Sequence, residues 1–163
     1  MTIKHFRRFA REWAMQFLFQ YDLTLVENQE EAIDIFLSQL EDPEAFDTPL
    51  DAKMLRKADR TARGIINGIL ENIPEIDKLI SKYSSKWSID RMNTVDRNLM
   101  RVAVYEMLFC QNVPPVVSIN EAVEIGKIYG TGNTASFING VLNAVMNTLE
   151  RPTREAVPDE ISF

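Results

Sequence analysis

The chain is poor in the residues from which catalytic and metal sites are usually built. Its 163 residues include one cysteine, Cys110, and one histidine, His5. A single cysteine excludes an intramolecular disulfide and suits a reducing cytosol. With only one of each, no Cys/His metal cluster can be assembled and no Cys–His nucleophile pair is signalled. No uninterrupted apolar run approaches the ~18 residues that span a bilayer. The start, Met1 to Glu12, is basic but lacks the apolar stretch and cleavage site of a signal peptide. These absences predict a cytoplasmic protein with no membrane contact. Sustained period-two alternation is missing, which excludes a sheet architecture. Three of the six glycines fall in GKIYGTGNT. That segment is not a phosphate-binding loop, because Lys127 is followed by Ile128 and the stretch ends a helical pattern. Gly130 reads as a helix stop. No cofactor is expected.

What is present is a helical pattern over a substantial core, with hydrophobic residues at 45%. Phe6, Ala10, Trp13, Phe17 and Tyr21 recur at helical spacing, so residues 4–24 read as a first helix. A second, weaker one covers 28–41, with Ala32, Ile35, Phe36 and Leu40 inward. EDPEAFDTPL, with two prolines, reads as a loop. Residues 51–71 carry a clean apolar stripe from Leu55 to Leu70. Pro74 suits the first turn of a short helix. After SSKWSIDRMN comes the strongest pattern, from Thr94 to Phe109, stopped by Pro114 and Pro115. Ser118 and Glu121 have capping-box spacing, which predicts a helix start at Ser118. The last helix spans 133–149, and the tail RPTREAVPDEISF reads as frayed. The expectation is an all-α fold of about seven helices. It forms a single domain over 1–150, with sub-bundles near 1–71 and 72–150 and a flexible tail at 151–163.

The net charge of −6 hides an asymmetry. Lys4, Arg7, Arg8 and Arg11 stand against Glu12 alone in the first twelve residues, so the remaining chain is more acidic than the total suggests. On a helical wheel the four cations share a sector about 100° wide, away from the apolar residues. This is either a solvated helix end or an anion site. Arginine's planar fork suits phosphate. Met15 and Phe19 fall near 80° and 120° on the same wheel, outside the predicted apolar sector. An apolar spot beside a cation strip suits a protein partner or a covering helix. Glu106 sits among Val95, Leu99, Val102 and Cys110 on its helix. A catalytic carboxylate needs a second titratable group, and none is nominated. Glu106 therefore reads as buried and structural, held by an arginine or by backbone amides.

Three stretches are similar to signatures of the NusB family. They are RRFAREWAMQFLFQYDL at 7–23, TVDRNLMRVAVYEMLF at 94–109, and VPPVVSINEAVEIGKIYGTGNTASFINGVLNAV at 113–145. The third is the most specific, and residues 25–90 match only in helical character. The resemblance implies an all-helical protein of two perpendicular sub-bundles that is not an enzyme. It implies a transcription antitermination factor that binds the boxA element of ribosomal RNA transcripts jointly with the ribosomal protein NusE and joins RNA polymerase. The family's RNA-contacting arginines match Arg7, Arg8 and Arg11, while Phe9 replaces a cation of the usual arginine run. Lys4 extends the strip. Phe19 matches an aromatic position facing NusE, with Met15 beside it. Lys127, Asn133 and Phe137 lie where the family approaches RNA. Asn133 replaces a frequent acidic residue, which should ease the approach of phosphate. Two alternatives remain at this point. One is a homodimeric helical scaffold that masks the strip. The other is an RNA-binding module like that at the front of ribosomal RNA cytosine methyltransferases, whose catalytic α/β domain this sequence does not contain.

Overall fold

Apolar residues at helical spacing, interrupted by Pro and Gly, produce a helical chain. The computed structural model describes residues 4–41, 51–84 and 87–157, with the backbone alone for Lys4, His5 and Glu41. Among these residues there are six α-helices and no strand: α1 (Lys4–Leu23), α2 (Gln29–Ser38), α3 (Ala52–Tyr83), α4 (Thr94–Phe109), α5 (Pro115–Tyr129) and α6 (Thr134–Met146). Short 3-10 turns follow α2 and precede α4. Among the described residues, no helix is long and apolar enough to cross a membrane.

Helix α3 is broken at Asn72, whose backbone is non-helical at φ −126°, ψ 16°. Pro74 explains the break, because it offers no amide to the preceding turn and restricts the residue before it. The Asn72 side chain donates to the Gly68 carbonyl at 2.7 Å, which satisfies part of the disrupted ladder. Counting the two halves of α3 separately gives seven helical segments. The chain divides into two compact units, residues 1–67 and 68–163. The division falls four residues before the expected one, inside α3 and ahead of its break at Asn72.

In the first unit Phe17 meets Phe36 edge to face at 5.6 Å. Arg63 bridges Asp34 of α2 and Asp59 of its own helix. Asn28 caps α2 by accepting from the Glu31 amide. Ile35, expected inward, is 54% exposed; Ile33, Phe36 and Leu37 fill the buried face instead. The apolar sector of this short helix is therefore rotated by about 80°, under a quarter turn, from the one expected, and Phe36 lies in both.

In the second unit α4 is the central element, with ten buried residues and contacts to both α5 and α6. Gly68 lies against the Tyr105 ring so closely that a Cβ would collide with it. Arg101 makes a paired contact to Asp77, both bonds at 2.8 Å, with side chains 7% and 19% exposed. Helix α5 starts at Pro115, not at Ser118 as capping-box spacing suggested. Proline at the first helical position is preorganised and has no amide to satisfy. Ser118 is thus buried inside the helix, where its hydroxyl serves Glu106 instead of a cap.

The frayed tail is also corrected for residues 151–157. The Arg151 guanidinium donates to the carbonyls of Met107, Gln111 and Val113 at 3.0, 2.8 and 2.7 Å, with Cys110 O at 3.4 Å. Val116 donates to Thr153 O and Val157 donates to Gln111 O. Prolines and mixed charge prevent a helix here, but the carbonyls of the last turn of α4 and of the loop after it offer the segment another set of partners.

Candidate nucleic-acid interface

The cation strip of α1 is narrower than the wheel predicted. Arg11 is 5% exposed and Met15 is 2% exposed, so both sequence expectations for an open position fail. Buried α1 residues run from Trp13 through Ala10, Phe17 and Ala14 to Leu18, Arg11 and Met15, a sector about 200° wide. A helix covered on more than one side buries a wider sector than one lying on a surface. Arg11 is held within the protein by further interactions. Arg7 and Arg8 are half-buried, and Phe19 is 36% exposed. The side chain of Lys4 lies outside the described residues.

Phe6 adds a feature that the wheel did not single out. Its ring lies 5.8 Å from the Arg7 guanidinium carbon and 5.7 Å from Lys57 Nζ on α3. Cations over an aromatic face are attracted by its quadrupole. Here cations of two helices, α1 and α3, share one aromatic ring.

In the second unit, Asn133 and Phe137 line one cavity of about 510 Å³ with Trp87, Arg91, Met92, Asn93 and Asp96. Trp87 is 55% exposed. Sequence reading passed over Trp87 and Arg91, although an aromatic and a cation inside the polar stretch SSKWSIDRMN were a usable signal. Lys127 is not among the lining residues. It pairs with Glu124 at 2.8 Å, both side chains more than half exposed. Such a pair contributes at most ~1 kcal/mol and yields readily to a stronger anion.

The α5–α6 connection is built tightly. Gly130 ends α5 as expected and donates to Gly126 O at 2.9 Å. Its φ is −91°, so left-handed backbone is not the reason for glycine. A Cβ there would instead collide with Thr134. Thr134, fully buried, accepts from the Thr131 amide at 3.0 Å and donates to Asp96 at 2.6 Å. Burial holds the Asp96 carboxyl above the usual carboxylate range, and the Thr134 bond pulls the other way. Asn133 at the start of α6 uses no side-chain bond to cap it, which leaves its amide facing the cavity side.

Glu106 is buried at 2% exposure, as expected. Its carboxylate accepts from the Ser118 hydroxyl at 2.8 Å, so a neutral donor on α5 holds it in addition to other interactions.

The family model of NusB matches residues 8–147. The chain belongs to the NusB family. The NusB transcription antitermination protein of Syntrophus aciditrophicus is 38% identical over 150 residues, 91% of this chain and 84% of its own. That of Desulfatibacillum aliphaticivorans is 45% identical over 139 residues, 85% and 88% of the two chains. Thermotoga maritima NusB is similar in structure, with a TM-score of 0.70, 38% identity, and 89% and 92% of the chains covered. A chain from a complex of the antitermination factors NusB and NusE with double-stranded RNA superposes with a TM-score of 0.72 at 26% identity, covering 91% of this chain and 100% of that one. The NusB family is one of antitermination factors and not of enzymes.

Proposed function

We propose that this NusB-family chain is a cytoplasmic, non-enzymatic antitermination adaptor. It binds boxA-type RNA of ribosomal RNA transcripts jointly with NusE and brings the pair to RNA polymerase. The observation that carries this is its likeness, over nearly its whole length, to the NusB chain solved with NusE and double-stranded RNA.

The residues fit these roles. Arg7 and Arg8 supply phosphate contacts from α1, and Arg11 braces the helix from its buried side. In the second unit, Trp87 and Phe137 offer ring faces to unstacked bases, a contact worth ~1–3 kcal/mol per base. Arg91 and Lys127 offer positive charge, and Asn133 offers an amide to a base edge or phosphate. Phe19 offers an apolar contact to NusE.

Fluorescence anisotropy with a labelled boxA-type RNA, with and without NusE, tests the reading. Binding should be weak alone and strengthen with NusE. Arg7→Ala with Arg8→Ala should weaken it and lower the salt slope by about 0.7 for each lost contact to a single strand. An unchanged affinity and slope in the folded double variant would remove RNA binding from α1. A scrambled RNA bound equally well would remove the boxA assignment. Failure to alter termination by RNA polymerase in a reconstituted assay would remove the adaptor role.

A further inference from the structure

The first half of α3 bears a second basic face that no part of the functional reading uses. Lys53, Arg56, Lys57 and Arg60 are all exposed. On the helix they fall in a sector about 100° wide, opposite the buried Ala58, Ala62, Ile65, Ile66 and Ile69. Lys53 is three and four residues from Arg56 and Lys57, and these are four and three from Arg60, so like charges face one another over two turns, which is locally unfavourable. The first turn of α3 holds no acidic residue.

The two carboxylates of this stretch are engaged elsewhere. Asp51 accepts from the Met54 amide at 2.8 Å at the helix start. Asp59 pairs with Arg63, which also reaches Asp34. Among the described residues none of the four cations has an ion pair. The face is not isolated, because Lys57 and Arg7 both approach the Phe6 ring, at 5.7 and 5.8 Å. Phe6 is thus the seam between the cations of α1 and those of α3 within one compact unit.

We propose that Lys53, Arg56, Lys57 and Arg60 form a second phosphate track, continuous with Arg7 and Arg8 at Phe6. It carries the ribose–phosphate backbone of the bound RNA beyond α1 and along α3. The proposal rests on the RNA-binding reading above and adds a surface to it. A flexible polyanion fits better than a folded acidic protein, because the track is a narrow line of flexible side chains about 10 Å long with no exposed apolar spot at its centre. In a chain of net charge −6, such a local strip also sets where RNA first lands.

The test uses the full chain with NusE and two labelled RNAs. One is a boxA-type 12-mer, and the other is the same element extended on both sides by mixed sequence. In the variant Lys53→Gln/Arg56→Gln/Lys57→Gln/Arg60→Gln, affinity for the extended RNA should fall at least about tenfold at low salt. Its salt slope should drop by about 2, which corresponds to three lost phosphate contacts. The 12-mer should bind as before. Circular dichroism checks the fold, and the milder Arg56→Gln/Lys57→Gln pair repeats the comparison with about half the slope change. Wild-type affinity and slope for the extended RNA in both variants would overturn the track. Arg7→Gln/Arg8→Gln separates the two claims. If that variant loses RNA while the α3 variants do not, only the track fails. If it too binds both RNAs as wild type does, the RNA-binding reading fails with it.

Discussion

Single side chains in this protein change role according to what covers them. Met15 and Phe19 are one helical turn apart and were expected to share an open face, yet Met15 is 2% exposed and Phe19 36%. Met15→Ala should therefore cost about 2–5 kcal/mol of stability in urea titrations, the range for emptying a packed core position. Phe19→Ala should cost under about 1 kcal/mol. Equal losses would mean the two positions are covered alike. Ser118 and Glu106 make the same point for polar groups. Ser118→Ala removes a donor from a buried carboxylate, and an incompletely satisfied buried group costs about 1–3 kcal/mol. Glu106→Gln keeps an acceptor for the hydroxyl and should cost less than Glu106→Ala. If Ser118→Ala matches wild type in urea, another donor has replaced the hydroxyl and the pair is not what holds Glu106.

At the scale of elements, α4 is stabilised at both ends by distant chain. At its C-terminus, Arg151 donates to the Met107 carbonyl in the last turn and to the Gln111 and Val113 carbonyls of the loop that follows. A cation there also complements the negative end of the helix. Arg151→Ala should lower Tm by several degrees and speed proteolysis of residues 151–157. An unchanged melt and digestion pattern would count against the clamp. At the other end, Asp96 in the first turn of α4 meets Thr134 in the first turn of α6. Burial raises the Asp96 carboxyl above its usual 3.8 in the folded chain. The folded state then binds the proton more readily than the unfolded state. The ionised form is thus a cost, present at neutral pH and relieved as pH falls through the folded value. Asp96→Asn keeps an acceptor for Thr134. It should be at least as stable as wild type at pH 7, with the advantage shrinking as the pH approaches 4. A deficit at pH 7 that disappears in acid would have the opposite sign and would sink this account.

At the scale of the whole molecule, the proposed work is joint, so the decisive measurements involve partners. Phe19→Asp should leave Tm nearly unchanged, since the side chain is partly open, and should abolish NusE capture in a pull-down. RNA affinity should then fall mainly in the assay that contains NusE. A large loss of stability before any partner is added would show that Phe19 is a packing residue and remove it from the interface.

The helical class, the break near Pro74, the Gly130 stop and the burial of Glu106 were all legible in the sequence. They follow from local chemistry: period, proline geometry, helix termination, and a carboxylate among apolar neighbours on one helix. The NusB resemblance was legible as well, because its motifs are contiguous. On α1 the buried positions Ala10, Trp13, Ala14 and Phe17 were assigned correctly, and Arg11 and Met15 wrongly, because the buried sector is wider than the apolar residues mark out. A wheel gives direction around one axis but not the number of sides that other helices cover. The Ser118 assignment failed because a proline three residues earlier opened the helix first and freed the hydroxyl for Glu106. The cavity shared by Trp87, Arg91, Asn133 and Phe137, and the approach of Lys57 to the Phe6 ring, join residues far apart in the chain. Only tertiary packing decides such neighbours, because no local periodicity encodes which distant side chains come within a few ångströms of each other.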